Sequence, residues 1–183
     1  MTSNLIFSTT LLLSLALLTD VNAQGTYSTT KGSIQITTVL NGEPLIAKSN
    51  SLSVILNYET AQFELRLDKS TLRTGIDTLD ERLESLQGTL LIYEGRLGID
   101  YVQTKSHPPL EFIVEGYLTC SPHYEHLTGQ GRLEHIFDGV YSCILNMNFH
   151  LNLEELMIDI GIPNLSDELH VEIIQTVLKN EYE

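Results

Sequence analysis

The sequence predicts an all-β barrel or sandwich carrying one short helix, and three observations carry that prediction. Apolar residues alternate with period two from residue 33 onward. Turn signals such as Asn41-Gly42 and Asp138-Gly139 recur at the spacing of an antiparallel meander. Helical spacing occurs once, between Thr74 and Leu86. Composition agrees, because 42% hydrophobic residues with 12 Gly and 5 Pro in 183 residues describe a folded domain rather than a low-complexity chain. The 24 Asp and Glu outnumber the 10 Lys and Arg, for a formal net charge of -14. With no basic cluster to offset it, that charge repels phosphate backbones and anionic membrane surfaces, so nucleic acid is not an expected partner.

The chain opens with an apolar run, Leu5 to Leu18, followed by the small residues Val21-Asn22-Ala23. Residues 1–23 read as a cleaved secretory signal peptide and residues 24–183 as one domain. The run is too short for a transmembrane span, and Gln24 rather than Cys follows the cut, which removes the lipoprotein route to a membrane. The expected location is periplasmic or secreted.

A strand near Ser33 to Leu40 turns at Asn41-Gly42 into a second extended stretch after Glu43. Leu52, Val54, Leu56 and Tyr58 then share one strand face, and Phe63, Leu65 and Leu67 share the next. A loop at Glu59-Thr60 sets Leu56 against Phe63 and Leu52 against Leu67, so both apolar faces point the same way. Ile76, Leu79, Leu83 and Leu86 recur at three or four among Asp77, Asp80, Glu81 and Arg82, as in a short amphipathic helix with acids in its first turn. Those acids read as a solvated, dipole-matched face rather than as catalytic groups. Leu91 to Val102 alternates loosely around Gly95 and Gly98, and His107-Pro108-Pro109 precedes a strand whose Phe112, Val114, Gly116 and Leu118 share a face.

In the next hairpin Leu127, Gly129, Gly131, Leu133 and His135 face Tyr141, Cys143, Leu145, Met147, Phe149 and Leu151. A two-residue Asp138-Gly139 turn would bring Glu134 and Arg132 into the apolar layer. A three-residue loop, Phe137-Asp138-Gly139, avoids this and uses Gly139 at the left-handed position. The expected pairs are then Leu133 with Cys143, Gly131 with Leu145, Gly129 with Met147 and Leu127 with Phe149. Cys120 would lie at least six residues from Cys143 along the strand, roughly 20 Å, so both thiols are expected free. Gly129 and Gly131 would leave interior space over Met147 and Leu145, and replacing either by Leu is expected to fill it.

Leu67-Asp68-Lys69-Ser70-Thr71-Leu72-Arg73-Thr74-Gly75, followed by Asp80, Leu83 and Ser85, resembles the YceI-like family of lipid-binding proteins. There a strand ends in a pattern of the type I-D-x-x-S-L-x-T-G and a helix with D-x-x-L-x-S follows. Pro108 and Phe112 resemble the family's Y-P-x-x-x-F with His107 in place of Tyr. Thr128-Gly129 with Leu133 resembles its T-G-x-L-T segment, and Asp167-Glu168-Leu169 through Ile173 its closing strand. The resemblance implies an exported, lipocalin-like antiparallel β-barrel of about eight strands, holding an isoprenoid or similar long-chain amphiphile inside.

The interior residues expected to touch such a ligand are Leu65, Phe112, Val114, Gly129, Gly131, Tyr141, Leu145, Met147 and Phe149, with the helix bearing Ile76, Leu79 and Leu83 closing one end. No Gly-x-Ser-x-Gly elbow, His-Glu-x-x-His or phosphate loop is present. The expectation is a non-enzymatic binding protein without a cofactor. The competing reading is a metal-binding or stress protein using Cys120, His123 and His126, whose C-x2-H-x2-H spacing offers a soft thiolate and two imidazoles but no fourth ligand. A third is a filled barrel that only binds other proteins. Oligomeric state is left open.

Overall fold

A computed structural model describes residues 25–102, 108–137, 141–156 and 161–180. Eight strands run in chain order around a closed antiparallel barrel: β1 Thr26–Leu40, β2 Glu43–Asn57, β3 Gln62–Asp68, β4 Leu90–Leu97, β5 Leu110–Cys120, β6 His123–Phe137, β7 Tyr141–Asn152 and β8 Glu168–Asn180. A 3-10 turn, Lys69–Thr71, and helix α1, Asp77–Glu84, lie between β3 and β4. The all-β, lipocalin-like barrel expected from the sequence is therefore present, with its one helix where the three-and-four spacing put it. Ring closure is completed by β1 pairing with β8, Tyr27 opposite Asn180, which leaves no free strand edge.

Local sequence explains the hairpins. Asn41 and Gly42 both have positive φ, 53° and 86°, the type I′ geometry whose twist matches the strands it joins. Leu56 pairs with Phe63, as the apolar faces required. The β5–β6 turn is the tight pair Ser121-Pro122, with Cys120 opposite His123.

The β6–β7 register differs from the expected one by two residues. Leu133 pairs with Leu145, Gly131 with Met147, Gly129 with Phe149 and His135 with Cys143. Face parity survives a two-residue shift, so the alternation could not distinguish the two registers. What decides between them is volume. A Cβ on Gly129 would fall on the Phe149 ring, and one on Gly131 on the Phe112 ring. The glycines thus seat two aromatic rings and open no room. Gly139 itself lies outside the described residues.

Strands β1, β2, β7 and β8 carry register breaks, between Thr29 and Ile34 on β1 and between Leu145 and Met147 on β7. Such bulges sharpen strand twist and help a sheet close. They also switch the inward phase: Leu45 and Ser49 face in along the first half of β2, Leu52, Val54 and Leu56 along the second.

In a meander, alternate connections fall at opposite ends. The β1–β2, β3–β4, β5–β6 and β7–β8 connections share one end, and the β2–β3, β4–β5 and β6–β7 connections share the other with Thr26 and Asn180. The second end is packed solid. Tyr58 is fully buried and stacks on Tyr27 with ring centroids 3.9 Å apart, and Leu97, Leu133, Cys143, Leu145 and Leu178 are likewise inaccessible.

Candidate functional site

The first end is hollow. A partly open cavity of about 250 Å³ lies between the barrel wall and the connections above it, larger than the roughly 150 Å³ dry cavity that suffices for a benzene ring. Its wall is built by inward residues of the strands, Ile34, Ile36, Leu65, Leu67, Tyr93, Leu118, Phe149 and Val171 among them. Its cover is built by Leu79 and Leu83 of α1, Leu72 and Leu86 beside it, and Leu153, Leu156, Ile162 and Leu165 of the β7–β8 connection. Ile76, expected on the buried face of the helix, is instead 43% exposed at the residue preceding it.

The cover is fastened by the residues of the Asp68–Gly75 motif. Asp68 accepts hydrogen bonds from the Ser70 backbone (2.9 Å) and hydroxyl (2.8 Å), and from the Gly88 backbone at 3.4 Å. Asp80, one turn into α1, accepts from the Thr74 backbone and hydroxyl, both at 2.7 Å, and from Gly75 N at 3.2 Å. These donors hold both carboxyls below the ordinary aspartate value of 3.8. Two reciprocal backbone bonds of 2.8 Å between Lys48 and Arg73 then tie the segment to β2. The Asp, Ser, Thr and Gly of the motif thus anchor α1 over the barrel end, a structural role.

Polar groups in the lining are few and mostly engaged. The Thr38 hydroxyl donates to the carbonyls of Ser166 and Glu168. The Tyr93 hydroxyl donates to Leu127 O at 2.9 Å, and burial raises its pKa. Lys69 Nζ lies 3.7 Å from Cys120 Sγ. What remains is an aliphatic surface with aromatic edges, suited to a hydrocarbon chain at about 0.8 kcal/mol per buried methylene.

Of the residues expected to touch a ligand, Leu65 and Phe149 line this cavity. Phe112, Val114, Leu145 and Met147 are buried in the wall outside it, and Gly129 and Gly131 seat Phe149 and Phe112. The side chain of Tyr141 lies outside the described residues, as does His107. Sequence reasoning missed the β1 residues and the β7–β8 connection. Leu153, Leu156, Ile162 and Leu165 follow no strand period, and only their clustering of apolar residues in a connection hinted at a cover.

Cys120, His123 and His126 do not converge. Cys120 is buried and faces the cavity, whereas His126 is on the outer face, its ring against Tyr117. Among the described residues no group of three His, Cys, Asp or Glu could hold a metal ion. Both cysteines are free and buried. Their positions opposite His123 and His135 lie about 40 Å apart along β6 at 3.3 Å per residue, farther than the sequence suggested. Burial pushes the Cys143 thiol up to about 12.

By sequence, no family model matches the chain and no curated protein does. By structure, similar barrels are known. A polyisoprenoid binding domain from Saccharophagus degradans, implicated in plant cell wall breakdown, superposes with a TM-score of 0.67 at 9% identity, over 85% of this chain and 98% of that one. The fold is that of the YceI-like barrels. BcnA from Burkholderia cenocepacia matches at 0.55 and 10% identity over 87% of this chain and 98% of that one. A mutant CJ YCEI protein crystallised with a monobromobimane guest matches at 0.52 and 13%, over 73% and 81%. Among the described residues, no helix is long and apolar enough to cross a membrane.

Proposed function

We propose that this chain is an exported, non-enzymatic binding protein that holds a long-chain apolar molecule of the isoprenoid or related class. The observation that carries the reading is the apolar cavity under α1, about 250 Å³ at one end of a barrel whose other end is filled. Binding of a polyisoprenoid by the similar Saccharophagus degradans domain supports the ligand class. The cavity is slightly below the roughly 300–1,000 Å³ common for small-molecule sites, so it encloses one segment of a long chain while the rest leaves past the cover. Leu65 and Phe149 touch that segment directly. Phe112, Val114, Gly129, Gly131, Leu145 and Met147 act behind them by fixing the wall, and Tyr141 belongs to the same strand as Phe149. Residues 1–23 serve as the export signal, after which the domain works in the periplasm or outside the cell.

The test is native purification without delipidation, organic extraction with mass spectrometry, and titration with the neutral fluorescent hydrophobe N-phenyl-1-naphthylamine. A co-purifying long-chain species near unit stoichiometry, or saturable dye uptake, is the expected result. A protein that carries nothing and takes up no dye would overturn the reading. N-terminal sequencing of exported protein should begin at Gln24.

A further inference from the structure

We propose that Lys69 is the headgroup-binding residue of this cavity, and that the preferred ligand is a single-chain amphiphile with an anionic head. The inference rests on the cavity accepting an apolar chain and adds the chemistry of the chain's other end.

Among the described residues Lys69 is the one charged group in the cavity lining. In a chain with 24 acids against 10 Lys and Arg, it takes part in none of the ion pairs found among those residues. Of the nearby acids, Asp68 is turned to Ser70 and Gly88, Asp80 to Thr74 and Gly75, and Glu84 to Arg73 at 2.8 Å, while Asp77 and Glu81 of α1 form no ion pair with Lys69. The ammonium has three donors, and among the described residues its one hydrogen-bond contact is the weak sulfur acceptor of Cys120, 3.7 Å away. A half-buried cation beside aliphatic walls without a counter-charge is unfavourable, and an anion arriving there relieves that cost through charge-assisted hydrogen bonds.

The position is also fixed in advance. Lys69 N donates to Thr89 O at 3.2 Å and Lys69 O accepts from Leu72 N at 3.2 Å, and the next turn is held by a 2.7 Å bond between the Ser49 and Thr71 hydroxyls. Little backbone ordering is then left to oppose binding. The net negative charge of the protein acts against anions at long range but is screened within about 8 Å at physiological ionic strength, so contact at Lys69 decides. A carboxylate and a phosphate monoester share the required chemistry.

The experiment displaces N-phenyl-1-naphthylamine from the full protein with dodecanoate, dodecyl phosphate and dodecanol, and reads the anion-to-alcohol affinity ratio within each variant. The wild type should favour at least one anion by about tenfold, and the favoured one names the head. In Lys69→Met the ratio should fall to about one, and Lys69→Arg should restore most of it. A wild-type ratio near one, or the same ratio in Lys69→Met, overturns the assignment while dye and dodecanol binding uphold the cavity. Absence of dye uptake in the wild type overturns both.

Discussion

Replacing Gly129 by Ala tests the register on which the interior depends. Its new Cβ would fall on the Phe149 ring and close to the Asn148 carbonyl. The carbonyl belongs to the β6–β7 ladder and cannot yield, so the ring must. That ring packs edge-on against Tyr93 with centroids 5.1 Å apart, and Tyr93 is held by Leu127 O and by Phe63, 5.1 Å beyond. Overpacking of such a site costs about 2–3 kcal/mol, which in a domain of this size lowers Tm by roughly 4–12 °C. Urea unfolding should show the midpoint falling with an unchanged m-value. Phe149→Leu in the Gly129→Ala background should recover the part of the loss that the ring contributes, while the contact with the Asn148 carbonyl remains. A Gly129→Ala protein within about 1 °C of wild type would refute the argument. It would mean that Gly129 faces a yielding Met147, as the alternation alone allowed, and that Phe149 lies elsewhere.

Asp80→Asn should loosen the cover by about 1 kcal/mol, seen as faster amide exchange over residues 72–86 with little change at the Tyr58 end. The same region should open in acid. Because the folded pKa values of Asp68 and Asp80 are below 3.8, their contribution is complete above the unfolded value and disappears as pH falls through the folded ones. Protection factors over 72–86 that do not fall as the pH is lowered below the ordinary aspartate range would contradict this. Thiol labelling of the native protein at pH 8 should modify Cys120 slowly, and more slowly with dodecanoate present, while Cys143 stays unreactive until urea is added. Its pKa near 12 and full burial leave almost no thiolate.

The barrel, its helix and the Leu56–Phe63 hairpin were legible because period two, period 3.6 and turn chemistry are local signals. The β6–β7 pairing was not, since two registers of equal parity differ in whether Gly129 or Leu127 lies opposite the Phe149 ring. Interior space is not legible for the same reason: Gly129 and Gly131 carry no side chains, yet the rings of Phe149 and Phe112 occupy the room above them. The bulges on β1 and β2 invert the inward phase partway along, which hid Ile34, Ile36 and Leu45 from a continuous alternation. Lys69 lay in the most recognisable stretch of the chain, but nothing in sequence separates a cation facing a cavity from one facing water.

Because Tyr27 pairs with Asn180, both ends of the described chain leave the barrel at its filled pole, with the hollow pole turned away. Anything joined there, whether a fusion partner, an affinity handle or a surface for immobilisation, holds the barrel by its base. The hollow pole then points outward at whatever donates or receives the ligand, and a cargo could be handed over without the attachment being undone.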